Sequence, residues 1–74
     1  MSEEKLKLKY QLFTDVWRLY RKWVVLDSPM RPEEWKQLHT EAHEIVERYD
    51  YEKMSRHLLL AIIEEIEVED NGKK

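Results

Sequence analysis

The chain has 74 residues, 39% of them charged, with a net charge of −3, no Cys and one Gly. A chain this short holds one small domain with a marginal core, because it buries only about 60% of its unfolded surface. The lack of Cys excludes disulfides and thiolate metal sites, and no apolar run approaches the length of a membrane span. With no apolar signal region after Met1, a cytoplasmic location is expected. Few breakers and many Glu, Lys and Leu predict an all-α chain.

The first predicted helix runs from about residue 4 to 26. Leu6, Tyr10, Phe13, Trp17, Tyr20 and Val24 recur at alternating steps of four and three. A second stripe, Leu12, Val16, Leu19, Trp23 and Leu26, lies beside them. At 100° per residue the two merge into an apolar arc of roughly 200°, about twice what one buried face needs. This helix therefore calls for partners on two sides. Asp27-Ser28-Pro29 ends it, since Pro29 cannot continue the ladder and disfavours helical geometry at Ser28.

The second predicted helix, 32–48, opens on Pro32, which suits a first helical position, followed by Glu33 and Glu34 in the first turn. Arg31 is a poor cap by residue type. Trp35, Leu38, Ala42, Ile45, Val46 and Tyr49 make one narrow apolar stripe. At Tyr49-Asp50-Tyr51 the phase breaks, and Asp50 is the expected N-cap of a third helix, 52–67. Its expected main face is Met54, Leu58, Ala61, Ile62 and Ile66, with Leu59 at the margin and Leu60 and Ile63 opposite. Residues 69–74 read as a polar, unordered tail. Short connections favour a three-helix up-down-up bundle as a single domain over residues 1–74.

Charge is segregated. Residues 1–31 hold seven basic and four acidic groups, net +3; residues 32–74 hold six and twelve, net −6. Lys5, Lys7, Lys9, Arg18, Arg21 and Lys22 are the contact set of an alternative reading as a small nucleic-acid-associated regulator. They do not form one stripe, and the overall acidity argues against phosphate binding. In an up-down-up bundle the third helix ends where the first one ends, which puts Arg21 and Lys22 within reach of Glu64 or Glu65. Glu64, Glu65, Glu67, Glu69 and Asp70 offer an alternative reading as a phosphate mimic but read better as a solvated face.

His39 and His43, four residues apart, share a helix face and are the candidate metal ligands, with Glu47 and His57 as the only supplements. A structural zinc site needs four ligands, so two boundary histidines are the better reading and no metal or other cofactor is assigned. No catalytic constellation or phosphate loop is present, and an enzyme is not expected. The aromatic set Tyr10, Phe13, Trp17, Tyr20, Trp23 and Trp35 points to core or interface, where such rings dominate burial.

The succession Val16-Trp17-Arg18-Leu19-Tyr20-Arg21-Lys22-Trp23, Glu34-Trp35, Tyr49 and Leu58-Leu59-Leu60-Ala61-Ile62-Ile63-Glu64-Glu65-Ile66-Glu67 resembles a group of short helical proteins from phage-like and mobile-element regions of Firmicutes. The resemblance covers Leu12 to Glu67 and implies a small accessory protein of bacterial or phage origin. Within that span Pro29, Pro32 and the His39/His43 pair are not shared features of the group. The resulting expectation is a non-enzymatic interaction module that forms a homodimer, with Phe13, Val16, Trp17, Tyr20, Trp23, Leu60 and Ile63 as interface and a further protein partner open.

Overall fold

The computed structural model describes residues 1–73, with three helices and, among the described residues, no strand. α1 spans Glu3–Val24, α2 Pro32–Arg48 and α3 Lys53–Asn71. The Ser2 hydroxyl accepts the Lys5 amide at 3.2 Å and caps α1, whose first turn carries Glu3 and Glu4 and whose last carries Arg21 and Lys22. Both ends thus complement the helix dipole. α2 starts at Pro32 as expected. Arg31 serves as its N-cap residue through the backbone: its amide donates to the Glu34 carboxylate at 3.0 Å.

Asp50 closes α2 and does not open α3. The Asp50 and Tyr51 amides donate back to the Glu47 and Val46 carbonyls at 3.0 and 2.9 Å. That is the Schellman pattern of a helix end. Asp50 and Tyr51 both take φ of 57°, in the left-handed region where a short polar side chain such as Asp is tolerated. The N-cap of α3 is Glu52.

Each helix touches the other two around one core of Leu12, Val16, Leu19, Trp23, Met30, Leu38, Ala42, Ile45, Leu59 and Ile66. On α1 the second stripe alone supplies the core. On α2 the expected stripe is borne out: Leu38, Ala42 and Ile45 are buried, and Trp35, Val46 and Tyr49 pack half-buried beside them.

On α3 the buried line is Ser55, Leu59, Ile66 and Asp70, with Leu58, Ile62 and Ile63 half-buried against the core. Met54 and Ala61, expected inside, are exposed. The two polar members of this line are both satisfied, one locally and one across the bundle. Ser55 donates to the Glu52 carbonyl at 2.6 Å, and the Asp70 carboxylate accepts the Met30 amide at 2.7 Å. That second bond carries the helix to Asn71, so residues 69–71 of the expected tail are helical. Lys74 lies outside the described residues.

Ion pairs link the helices. Lys9 pairs with Glu52, and Lys22 with Glu41 at 2.5 Å. Asp15 accepts Arg48 at 3.1 Å and the Tyr49 hydroxyl at 2.6 Å. Lys22 therefore faces α2, and not Glu64 or Glu65. The Glu41 carboxylate also accepts Trp23 Nε1 at 2.9 Å and Gln37 at 3.0 Å. Burial opposes ionisation of Glu41, but the bonds from Lys22, Gln37 and Trp23 outweigh it and hold its pKa below the ordinary value.

Burial and the bond to Asp15 push the Tyr49 hydroxyl up to about 12 from 10.0. A raised folded-state pKa stabilises fully below the unfolded value and is lost as pH rises through the folded one. We expect Tyr49 to support stability up to pH 10 and to withdraw that support between pH 10 and 12. Ultraviolet titration should show a tyrosine ionising near pH 12, and Tyr49→Phe should remove that step. A Tyr49→Phe chain that keeps the step near pH 12 would contradict the assignment.

Candidate interaction surface

Residues four and three apart on a helix share a face, and residues two apart lie about 200° from each other. Setting Leu12 at the centre of the core, Asp15 and Lys22 fall on one side of α1, where they meet α2. Lys9 falls on the other, where it meets Glu52 at the start of α3, and the Val24 carbonyl accepts Lys73 just beyond the end of α3. Beyond that α3 side lies the first stripe, Leu6, Tyr10, Phe13, Trp17, Tyr20 and Val24. Leu6, Tyr10, Phe13 and Trp17 are exposed by 55%, 72%, 50% and 59%. Tyr20 and Val24 are half-buried. Trp17 and Tyr20 rest together, ring centroids 6.1 Å apart and tilted by 38°.

The two stripes read from the sequence therefore separate, except at Tyr20, which packs partly buried against the core. One is the core and the other is surface. Val16 and Trp23, expected at the interface, are each only 6% exposed and belong to the core, with Trp23 anchored to Glu41. Phe13 and Trp17 stay on the surface, and Tyr20 spans both.

α3 extends this surface. Leu60, Ile63, Glu64 and Glu67 line its groove with α2, opposite His39, Ala42, His43 and Val46. Leu58, two residues before Leu60, consequently lies on the α1 side, and Met54, Ala61 and Glu65 share its outer flank. The apolar stripe of α1 thus continues onto Met54 and Leu58. Leu60 and Ile63, predicted to join Phe13 and Trp17, lie in the other groove; Leu60 is exposed and Ile63 half-buried.

His39 and His43 are both exposed on that second groove. His43 Nε2 lies 3.5 Å from the Glu47 carboxylate, and its ring meets Tyr51 edge-on at 6.0 Å. His57 sits instead beside Met54 and Leu58. Among the described residues no three His, Asp or Glu groups converge as metal ligands.

Of the basic set, Lys9 and Lys22 are engaged with Glu52 and Glu41, and Lys22 also lies 5.0 Å over the Trp23 ring. No helix among the described residues is long and apolar enough to cross a membrane. No protein-family model, curated protein or solved structure matches this chain.

Proposed function

We propose that this protein is a non-enzymatic interaction module that self-associates through α1, in keeping with the accessory-protein role its resemblance implies. The observation that carries the reading is the exposed run Leu6, Tyr10, Phe13 and Trp17, which the core leaves uncovered. Large apolar patches on small soluble chains mark contact surfaces. An up-down-up arrangement is the economical reading of the cross-links. The Lys9–Glu52 and Val24–Lys73 contacts join like ends of α1 and α3, and the Asp15–Arg48 and Lys22–Glu41 contacts run α2 the opposite way. That arrangement sets the two exposed flanks of α1 and α3 side by side.

Light scattering at micromolar concentration should give a mass near twice the 9.2 kDa of the chain. Phe13→Glu with Trp17→Glu should return it to the monomer with helicity intact, while Leu60→Glu, in the other groove, should leave the dimer. A wild-type mass that stays at one chain rejects the proposal.

A further inference from the structure

The exposed stripe of α1 has a symmetry of its own. Its members are Leu6, Tyr10, Phe13, Trp17, Tyr20 and Val24, spaced four, three, four, three, four. Read from either end, the order is an aliphatic residue, a tyrosine and then a large aromatic ring. Spacing and chemistry are both palindromic about a point near Asp15. An interface with two-fold symmetry requires that if residue i touches residue j, j also touches i. A stripe met by its own reverse copy satisfies this requirement along its whole length. The four-three spacing is also the one that keeps a helix seam facing a second helix.

We infer that a second copy of this chain occupies the stripe with the two α1 helices antiparallel, crossing near Asp15. Leu6 then meets Val24 of the second copy, Tyr10 meets Tyr20, and Phe13 meets Trp17. This arrangement rests on the self-association proposed above and specifies its geometry.

Two further observations favour it. The outer flank of α3 begins with Lys53 and His57, beside Met54 and Leu58, and ends with Glu65. Antiparallel copies lay the basic start of one α3 beside the acidic end of the other, whereas parallel copies juxtapose like charges. Lys7 and Arg21, on the solvent rim of the stripe, do approach like charges across the dimer, but exposed charges there are screened by salt. The second observation is area. The four exposed side chains, with Met54, Leu58 and the open parts of Tyr20 and Val24, offer roughly 700 Å² per copy. Two copies would bury about 1,400 Å², within the range of a stable specific interface.

The chain has no Cys of its own, so engineered thiols can form disulfides only with each other. Tyr10→Cys and Tyr20→Cys are made separately and oxidised with diamide, alone and as an equimolar mixture. The expected result is a covalent dimer in the mixture at least tenfold more abundant than in either variant alone. Leu6→Cys with Val24→Cys repeats the test should Tyr20→Cys lose helicity. Light scattering of the wild-type chain separates the two failures. If the wild type is monomeric, self-association and this geometry both fall. If it is dimeric but each variant bonds to itself, or the mixture does not bond, self-association stands and the antiparallel pairing is overturned.

Discussion

Trp23→Ala should lower the unfolding free energy by about 3–5 kcal/mol, whereas Trp17→Ala should change it by no more than about 0.5 kcal/mol in dilute solution. The two tryptophans lie six residues apart on one helix, and sequence treats them alike. Trp23 is 6% exposed and packs with Leu12, Val16 and Leu19; Trp17 is 59% exposed. Removing the Trp23 ring opens a cavity in a core that has few residues to close it, and also takes one donor from Glu41. A 74-residue chain has a total stability of roughly 4–11 kcal/mol at the usual 0.05–0.15 kcal/mol per residue. The loss at Trp23 is therefore a large share of the whole, and urea denaturation followed by circular dichroism should show a midpoint well below that of the wild-type chain. The dilute condition matters for Trp17. Where copies associate, its loss also removes the stabilisation that binding lends to the folded state. Equal effects at the two positions would mean that the division of α1 into core and surface stripes is wrong.

That division marks where sequence reading succeeded and where it stopped. The 200° arc of α1 was legible because its period is regular. Its excess over what a bundle buries was legible too, since α2 offers one narrow face. Which of the two stripes turns inward was not, since the outer one is the richer in aromatic rings, with Tyr10, Phe13, Trp17 and Tyr20 against Trp23 alone. The choice goes with bonds made on the α2 side of α1: Lys22 and Trp23 reach Glu41 while Asp15 reaches Arg48 and Tyr49, all contacts spanning at least 18 residues. Those bonds fix the rotation of α1 and carry no local signal.

The error on α3 has the opposite origin. There the apolar run Leu58-Leu59-Leu60-Ala61-Ile62-Ile63 is nearly continuous, so hydrophobicity alone cannot choose a face. The true inward line is marked by Ser55 and Asp70, two polar residues that a search for apolar periodicity discards. Asp50 misled for a related reason. Asp favours both N-caps and left-handed turn positions, and only the amide bonds back to Val46 and Glu47 show which role it takes.

Asp70 carries the second large expected effect. Its side chain is 2% exposed and accepts the amide of Met30, itself only 8% exposed, across 40 residues of sequence. Asp70→Ala leaves that buried amide without a partner, which costs about 1–3 kcal/mol. Asp70→Asn should retain most of the stability, because an amide oxygen can still accept the same hydrogen. Deleting residues 69–74 should cost at least as much as Asp70→Ala, since it also removes the last turn of α3. A solvated tail would make the same deletion neutral. Hydrogen exchange gives the local readout: the Met30 amide should be protected in the native chain and in Asp70→Asn, and exchange rapidly in Asp70→Ala. Unchanged protection of Met30 in Asp70→Ala would break the link between the end of α3 and the turn after α1. That link matters for the surface as well as for stability. With Lys9 and Glu52 at one end and Asp70 and Met30 at the other, α3 is held against α1 and its turn along the length on which Phe13, Trp17 and Leu58 are displayed. Losing the Asp70 anchor should therefore weaken self-association through a face that Asp70 itself never touches.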